Sequence, residues 1–308
     1  MMSERLRTQL DGFGVIEWVD STPSTNQDLI LRVREAGFDQ ASLPWIRGAR
    51  LQTAGKGRAG RPWQNASDAT LMFSCAFGPE IPLAKLPGLS PALGVAACEA
   101  LRGLVTEQMT AYAARGLGLK WPNDLQWTWQ HHAGTEPEFT TGKLAGILVE
   151  TAPCTAFKHP VIVVGIGINL RGGRELTAEL GRPIADWTMV TGSDCQVAIA
   201  GISAQTPEQT PTQISTQSAV AIATAIARSW QQAIATYAAE GFAAFMQRYE
   251  QVDDLRHVQV NLIDQNKVLS SGIASGVDQT GRLLIQTVDG EIPVTTGDVS
   301  VRRVSSSA

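Results

Sequence analysis

Apolar positions along this chain follow two rhythms, a helical one and a strand-like one, and the mixture changes near residue 254. From Thr25 to Glu35 the apolar residues Leu29, Ile30 and Val33 share one helical face, with Asp28 in the first turn and Gly37 beyond the end. Ser24 and Gln27 stand at capping-box spacing ahead of them. Ser90-Pro91 opens a second helix, because serine caps free N–H groups and proline fits the first turn. It runs through Val95, Ala96, Leu101 and Leu104 towards Gly116. A third helix is expected from about Ser218 to Glu240, stopped by Gly241, and a shorter one from Phe242 to Tyr249. Strands are expected at Trp45–Gln52, Leu71–Phe77, Gly118–Trp121, Ala145–Glu150 and Val161–Leu170. Helices and strands do not alternate regularly enough for a doubly wound sheet, so the pattern predicts an α+β fold: a mixed β-sheet packed with helices.

After about Asp254 the rhythm becomes purely strand-like. Val258/Val260/Leu262, Leu283/Ile285 and Val299/Val301 alternate with polar residues, and Asp289-Gly290 marks a tight turn. These positions predict a small C-terminal β-barrel over 254–308, following a larger unit over 1–253. Two stretches read as irregular insertions. One is Ser203–Gln217, crowded with Gln, Ser, Thr and Pro and carrying Glu208 alone as a charge; the other is Trp129–Thr141.

The composition narrows the function. Hydrophobic residues make up 44% and charged residues 18%, as in a globular protein with a sizeable core. Twenty-five Lys and Arg against 29 Asp and Glu leave a net charge of −4, which argues against DNA or a membrane as the main partner. The longest apolar runs, such as Pro160–Leu170, fall short of the roughly 20 residues that span a bilayer. Glu4, Arg5 and Arg7 near the start have no apolar segment behind them, unlike a secretion signal, so a cytoplasmic location is expected. Cys75, Cys98, Cys154 and Cys195 are far apart, and His131, His132, His159 and His257 stand at no metal-binding spacing, so no protein-built metal site is expected.

Phosphate or carboxylate chemistry must then come from local clusters. In QTAGKGRAGRPW, residues 52–63, Gly55, Gly57 and Gly60 permit a tight bend, while Lys56, Arg58 and Arg61 place three cations within six residues. Such a loop suits an oxyanion, although an exposed basic hairpin explains the same residues. The glycines also satisfy G-x-G-x-x-G, but Arg61-Pro62-Trp63 follows where a dinucleotide fold needs a helix. In LKWPNDL, 119–125, turn chemistry accounts for Pro-Asn-Asp, yet Lys120 lies in an apolar setting where an unpaired charge is costly. Lys143 likewise enters an apolar strand in TGKLAGILVE, with Gly146 allowing a close backbone approach. VIVVGIGINL, 161–170, is either a plain core strand with packing glycines or the floor of a site. Ser24-Thr25-Asn26 reads as a helix cap or as a polar grip on an uncharged ring.

The ordered set STN (24–26), QTAGKGRAGRPW, LKWPNDL, GKLAGILVE (142–150) and VVGIGINL (163–170), with a tail ending GDVSVRR (297–303), resembles biotin protein ligase. The resemblance covers nearly the whole chain from about Ser21. It implies the class II synthetase-like ligase fold with an SH3-like C-terminal barrel. It also implies a two-step reaction, in which biotin and ATP give biotinyl-5′-adenylate and the biotinyl group then passes to a lysine of biotin carboxyl carrier protein, such as that of acetyl-CoA carboxylase. By matching positions, Ser24, Thr25, Asn26 and Gln52 would hold the ureido ring, and Lys56, Gly57 and Arg58 would close over biotin and the adenylate phosphate. Lys143 would hold the reacting carboxylate and α-phosphate oxygens. Arg61, Trp63, Lys120, Asn169 and Arg302 would lie near the nucleotide, with Trp187 over the adenine. Asp124 would orient an ion, a lysine or the incoming amine, and Mg²⁺ would arrive with ATP. Family members commonly carry arginine at the positions of Lys56 and Ala59, so retention of the adenylate is in question here. The resemblance points to the monofunctional type without a DNA-binding domain and allows a homodimer. Two rival readings are a lipoate or octanoate ligase of the same superfamily and a non-catalytic biotin sensor.

Overall fold

The computed structural model describes residues 2–65, 67–108, 115–132, 137–154, 158–192, 216–265, 267–297 and 299–304. The insertion expected at 203–217 lies outside them, apart from its last two residues, which begin a helix.

Seven strands form one mixed sheet: β1 (Val15–Thr22), β2 (Trp45–Gln52), β3 (Thr70–Phe77), β4 (Leu117–Lys120), β5 (Asp124–His132), β6 (Pro137–Ala152) and β7 (Val161–Asn169). Their order is β1-β2-β3-β7-β6-β5-β4, with β1 and β2 parallel and every other neighbouring pair antiparallel. The described helices are α1 (Met2–Arg7), α2 (Thr25–Val33), α3 (Leu89–Gln108), α4 (Gly173–Leu180), α5 (Trp187–Val190), α6 (Thr216–Glu240) and α7 (Met246–Val252).

Strand alternation sorts the two faces of the sheet. Leu71, Phe73, Cys75 and Phe77 of β3 join Ile162, Val164, Ile166 and Ile168 of β7 in the main core under α3 and α6. The opposite face of the same strands carries Ala76, Val161 and Val163, which pack on Leu29, Ile30 and Val33 of α2. Further along that second face the apolar side chains give way to Ser74, Gly165 and Gly167, and the cover of α2 ends. The site lies there. α3 with the turn before it is long and apolar enough to cross a bilayer, but it is mostly buried. Trp230 Nε1 of α6 donates to Leu93 O at 3.1 Å and Ser229 Oγ to Ala96 O at 2.9 Å, so α3 is a core helix.

The stretch 129–141, expected to be irregular, falls largely within the antiparallel pair β5–β6. Trp129 pairs with Thr140 and Thr128 with Thr141, and the hydroxyls of the last two meet at 2.8 Å. Trp127 and Trp129, two residues apart on one face, stack at 5.6 Å. The strand β1 and the helices α1, α4 and α5 were not expected from the pattern.

After residue 254, β8 (Gln259–Asp264), β9 (Lys267–Val277), β10 (Leu283–Thr287), β11 (Gly290–Val294) and β12 (Ser300–Arg303) form a five-stranded antiparallel sheet in the order β11-β10-β9-β8-β12. Thr287 pairs with Gly290, leaving the two-residue turn at Val288-Asp289, and Gly290 has φ +121°. The inward residues Val260, Leu262, Leu283, Ile285, Val294 and Val301 belong to the same continuous core as the first sheet. Polar contacts join the sheets as well. Arg303 Nη2 meets Asp254 Oδ2 at 2.5 Å, Asp254 N donates to Leu119 O at 3.1 Å, and Trp121 Nε1 donates to Gly281 O at 3.0 Å.

This junction yields a stability prediction. Burial raises the Asp253 carboxyl to about 6, against the opposing effects of its bond from Leu255 N–H and the charge of Arg256. The folded protein therefore holds this proton more tightly than the unfolded chain, and stability falls as pH rises from about 4 to about 6. Asp253→Asn keeps an acceptor for Leu255 N–H, which lies 2.9 Å from Oδ1. It is expected to add about 3 kcal/mol at neutral pH and almost nothing near pH 4. Thermal melts at both values check this, and an unchanged neutral Tm contradicts it.

Candidate active site

Lys143 enters β6 beside Asp124, the first residue of β5, and its Nζ lies 2.7 Å from Asp124 Oδ1. The same Nζ stands 5.3 Å from the centre of the Trp63 ring, a cation–π placement. The backbone of Lys143 is held from the other side, since its N–H donates to Pro183 O at 3.3 Å and its carbonyl accepts from Ala185 N at 3.0 Å. Burial alone would raise the Asp124 carboxyl, but the charges of Lys143 and Lys120, with the hydrogen bond from Lys143, hold it below the usual range. Burial lowers the Lys120 ammonium, with Asp124 opposing. Lys120, whose charge in an apolar stretch an anionic ligand would offset, already has the carboxylates of Asp124 and Asp254 near enough to favour that charge.

Residues 55–63 form a hairpin folded back over this group. Gly57 N donates to Arg61 O at 2.7 Å and Trp63 N to Gly55 O at 2.9 Å. The chain reverses through Ala59 and Gly60, both in the left-handed region at φ 53° and 67°. Arg58 donates to Asn123 Oδ1 at 3.3 Å and to the carbonyls of Gly297 and Val299, while Arg61 Nη2 donates to Ser300 Oγ at 2.9 Å. The hairpin is therefore tied to the start of β12. Arg58→Ala is expected to loosen it, with trypsin cutting after Lys56 several-fold faster and stability lowered by only about 1 kcal/mol, as for an exposed hydrogen bond. A proteolysis time course with an unchanged cleavage rate would count against that anchoring.

At the other end, Ser24 caps α2, its Oγ accepting from Gln27 N at 3.4 Å. Thr25 N donates to Gln52 Oε1 at 2.7 Å, Ser74 Oγ donates to Asn26 Oδ1 at 2.5 Å, and Asn26 Nδ2 donates to Glu150 Oε2 at 2.7 Å. The glycines of β7 make this packing possible: a Cβ at Gly165 would fall on Asn26 Oδ1, and one at Gly167 would come within 2.5 Å of Trp63.

Lys143, Asp124, Lys120, most of the hairpin and Ser24, Thr25, Asn26 and Gln52 line one cavity of about 750 Å³, with Ser74 and Glu150 behind it. Among its described lining residues, Lys56, Arg58, Arg61, Lys120, Lys143, Arg182 and Arg302 are cations and Asp124 is the one carboxylate. Trp63 Nε1 is buried over Gly167 with no hydrogen-bond partner. The cavity has a polar, uncharged end at Thr25 and Gln52 and a strongly cationic end at the hairpin. It therefore suits a ligand that joins a neutral polar group to anionic groups.

Residues 18–169 match the biotin/lipoate A/B protein ligase family and residues 256–302 match the biotin protein ligase C-terminal domain. The chain belongs to the biotin protein ligase family. Within it, a bifunctional ligase/repressor BirA of Escherichia coli is 29% identical over 301 residues, covering 97% of this chain and 78% of that protein. A biotin–[acetyl-CoA-carboxylase] ligase of Mycobacterium tuberculosis is 34% identical over 170 residues, 54% of each chain. Among solved structures, a biotin protein ligase of Aquifex aeolicus in complex with biotin and ATP superposes with a TM-score of 0.64 at 24% identity, covering 94% of this chain and 99% of that one.

Thirteen of the fifteen residues singled out in the sequence line the cavity: Ser24, Thr25, Asn26, Gln52, Lys56, Gly57, Arg58, Arg61, Trp63, Lys120, Asp124, Lys143 and Arg302. Asn169 and Trp187 are not among its lining residues. The Asn169 amide is spent on the carbonyls of Lys143 and Ala185, both at 3.2 Å, so it braces the strand that carries Lys143. Trp187 is 5% exposed and sits in the main core at the start of α5, rather than over an open adenine site. The sequence reading missed Arg182, Ser74 and Glu150. A hydroxyl at position 74, within a wholly buried strand, was the available signal, because such a group must find a partner.

Proposed function

We propose that this protein ligates biotin to a specific lysine of a biotin carboxyl carrier protein, with ATP cleaved to AMP and pyrophosphate. The observation that carries this reading is the convergence of Lys143, Lys120 and the 55–63 hairpin on one cavity whose far end is polar and uncharged. In the first step a biotin carboxylate oxygen attacks the α-phosphorus of ATP, the bond to the β-phosphate oxygen breaks, and pyrophosphate leaves. Two anions must meet, so fixed cations are needed to offset their repulsion and to hold charge building on the α-phosphoryl oxygens. Lys143 is held by Asp124 and by the Trp63 ring, so it meets the transition state without rearranging. Arg58 and Lys56 close over the acid and phosphate, Thr25 and Gln52 take the ureido head, and Lys120, Arg61, Trp63 and Arg302 serve the nucleotide. In the second step a carrier lysine amine attacks the biotinyl carbonyl, AMP leaves, and an amide forms. Asp124 orients Lys143.

Mg²⁺ belongs to this reading as part of MgATP. Among the described residues no three His, Cys, Asp or Glu side chains cluster as a metal cage, and Asp124 is engaged by Lys143. Phosphates and water are therefore its expected ligands. The reading divides the chain near residue 254, with 1–253 carrying the chemistry and 254–308 supplying the β12 rim. DNA is not part of it, given the net charge of −4. A cytoplasmic setting accords with Cys75, Cys98 and Cys154, which are free thiols. The test is incubation with biotin, MgATP and a carrier domain. The expected product carries one added biotin on one lysine, and an unmodified carrier would refute the reading.

A further inference from the structure

Glu150 and Ser74 lie behind the polar end of the cavity, not among its lining residues, yet the hydrogen bonds that start from them fix what that end offers a ligand. A carboxylate can only accept. Glu150 Oε2, 2.7 Å from the Asn26 amide, therefore sets that amide with Nδ2 towards Glu150 and Oδ1 towards Ser74. The second Nδ2 hydrogen faces Leu148 O at 3.4 Å, which reinforces the same orientation. Asn26 Oδ1 has no hydrogen, so Ser74 Oγ, 2.5 Å away, must donate to it. With its single proton spent, Ser74 can only accept from Thr25 Oγ1, 2.7 Å away. The other neighbour of that hydroxyl, Gln52 Oε1 at 3.3 Å, is also an acceptor. Either way the Thr25 proton turns inward. Gln52 Oε1 is itself occupied by Thr25 N at 2.7 Å, which leaves Gln52 Nε2 as the free end of that amide.

We infer that Glu150 and Ser74 are positioning residues for substrate selection, setting Thr25 as an obligate hydrogen-bond acceptor and Gln52 as a donor at the head of the cavity. That pattern is complementary to a cyclic urea, whose ring N–H donates and whose carbonyl accepts. It is hostile to the isosteric cyclic carbamate, in which a ring oxygen replaces one N–H and brings lone pair against lone pair. Gly165 makes the relay possible, because any side chain there would displace Asn26 Oδ1. The inference rests on the biotin reading above.

The test compares binding of biotin and of its cyclic carbamate analogue by calorimetry, in the wild type and in Ser74→Ala and Glu150→Ala. Without the Ser74 hydroxyl the Thr25 proton keeps only the longer 3.3 Å contact to Gln52 Oε1 and is held inward far more weakly. The preference for biotin over the carbamate is then expected to fall about tenfold or more, with kcat for bound biotin changed far less than KM. Glu150→Ala frees the Asn26 amide to turn over and is expected to reduce the preference by a smaller factor, about threefold. As Glu150 is only partly buried, that variant keeps the question open to test should Ser74→Ala fail to fold. An unchanged preference in the folded variants, or equal weakening of both ligands, overturns the inference while the biotin reading stands. A wild type that binds neither compound overturns that reading and the inference with it.

Discussion

Lys143→Ala is expected to lower biotin-dependent adenylate formation by about two to three orders of magnitude, the scale of a lost electrostatic donor in an acyl-transfer site. The expectation comes from where the ammonium lies, on Asp124 at 2.7 Å and against the Trp63 ring, in the cavity's cationic half. Lys143→Met separates charge from packing, since it keeps an unbranched stem against Trp63, and it should lose the same activity. Pyrophosphate-release assays on both variants check this, and wild-type turnover in either would remove Lys143 from its assigned role. A second readout concerns pH. In the wild type the Asp124 carboxyl is held low by Lys143 and Lys120 despite burial, so its stabilising contribution is present at neutral pH and fades as acid protonates it. Losing Lys143 removes the strongest of these cations and leaves Lys120 and Arg58. The Tm deficit of Lys143→Ala should accordingly be larger at neutral pH than near pH 4, where the carboxyl approaches protonation in the unfolded chain.

Gly165→Ala is the second large effect expected. Gly165 sits in β7, paired on one side with Ser74 of β3 and on the other with Leu148 of β6, so its backbone cannot retreat. The added Cβ would fall on Asn26 Oδ1 and within 2.9 Å of Ser74 Oγ. Asn26 must rotate away and give up its bonds to Ser74 and Glu150. Overpacking of this kind costs about 1–3 kcal/mol, and the same displacement should weaken biotin about 10- to 100-fold. Gly103→Ala is the matched control. It lies in α3 with nothing within 4 Å of the new Cβ, so it should gain up to about 1 kcal/mol of stability and leave biotin binding unchanged. Calorimetry on both proteins checks the contrast, and near-equal biotin affinities would mean that the head of the cavity is not where Gly165 places it.

Strongly periodic elements were legible because one face of each is fully buried. β2 starts and ends where its apolar run does, and Ser24 caps α2 as its spacing with Gln27 implied. β1 escaped notice because it is an edge strand that mixes Glu17, Trp18 and Asp20, with only Ile16 and Thr22 buried. The β5–β6 pair was hidden for a similar reason. It extends towards the sheet edge, where polar residues are tolerated on both faces and composition mimics a loop. Among site residues, cations in short glycine-rich or apolar contexts stood out individually, since a charge in such places calls for a partner. Asn169 and Trp187 did not reach the cavity, for a different reason: a residue's type shows that it needs a partner, not whether that partner is backbone, core or ligand. Arg182 enters from the turn after α4, at a distance in sequence that no local pattern links to Lys143.

ATP–pyrophosphate exchange, run without carrier protein, addresses the central claim most directly, because it requires the carboxylate and the α-phosphate to meet among these cations. Label should enter ATP when biotin is supplied and stay at background when lipoate replaces it, and the signal should vanish in Lys143→Met. Exchange supported by lipoate but not biotin, or no exchange with either acid, would contradict the account.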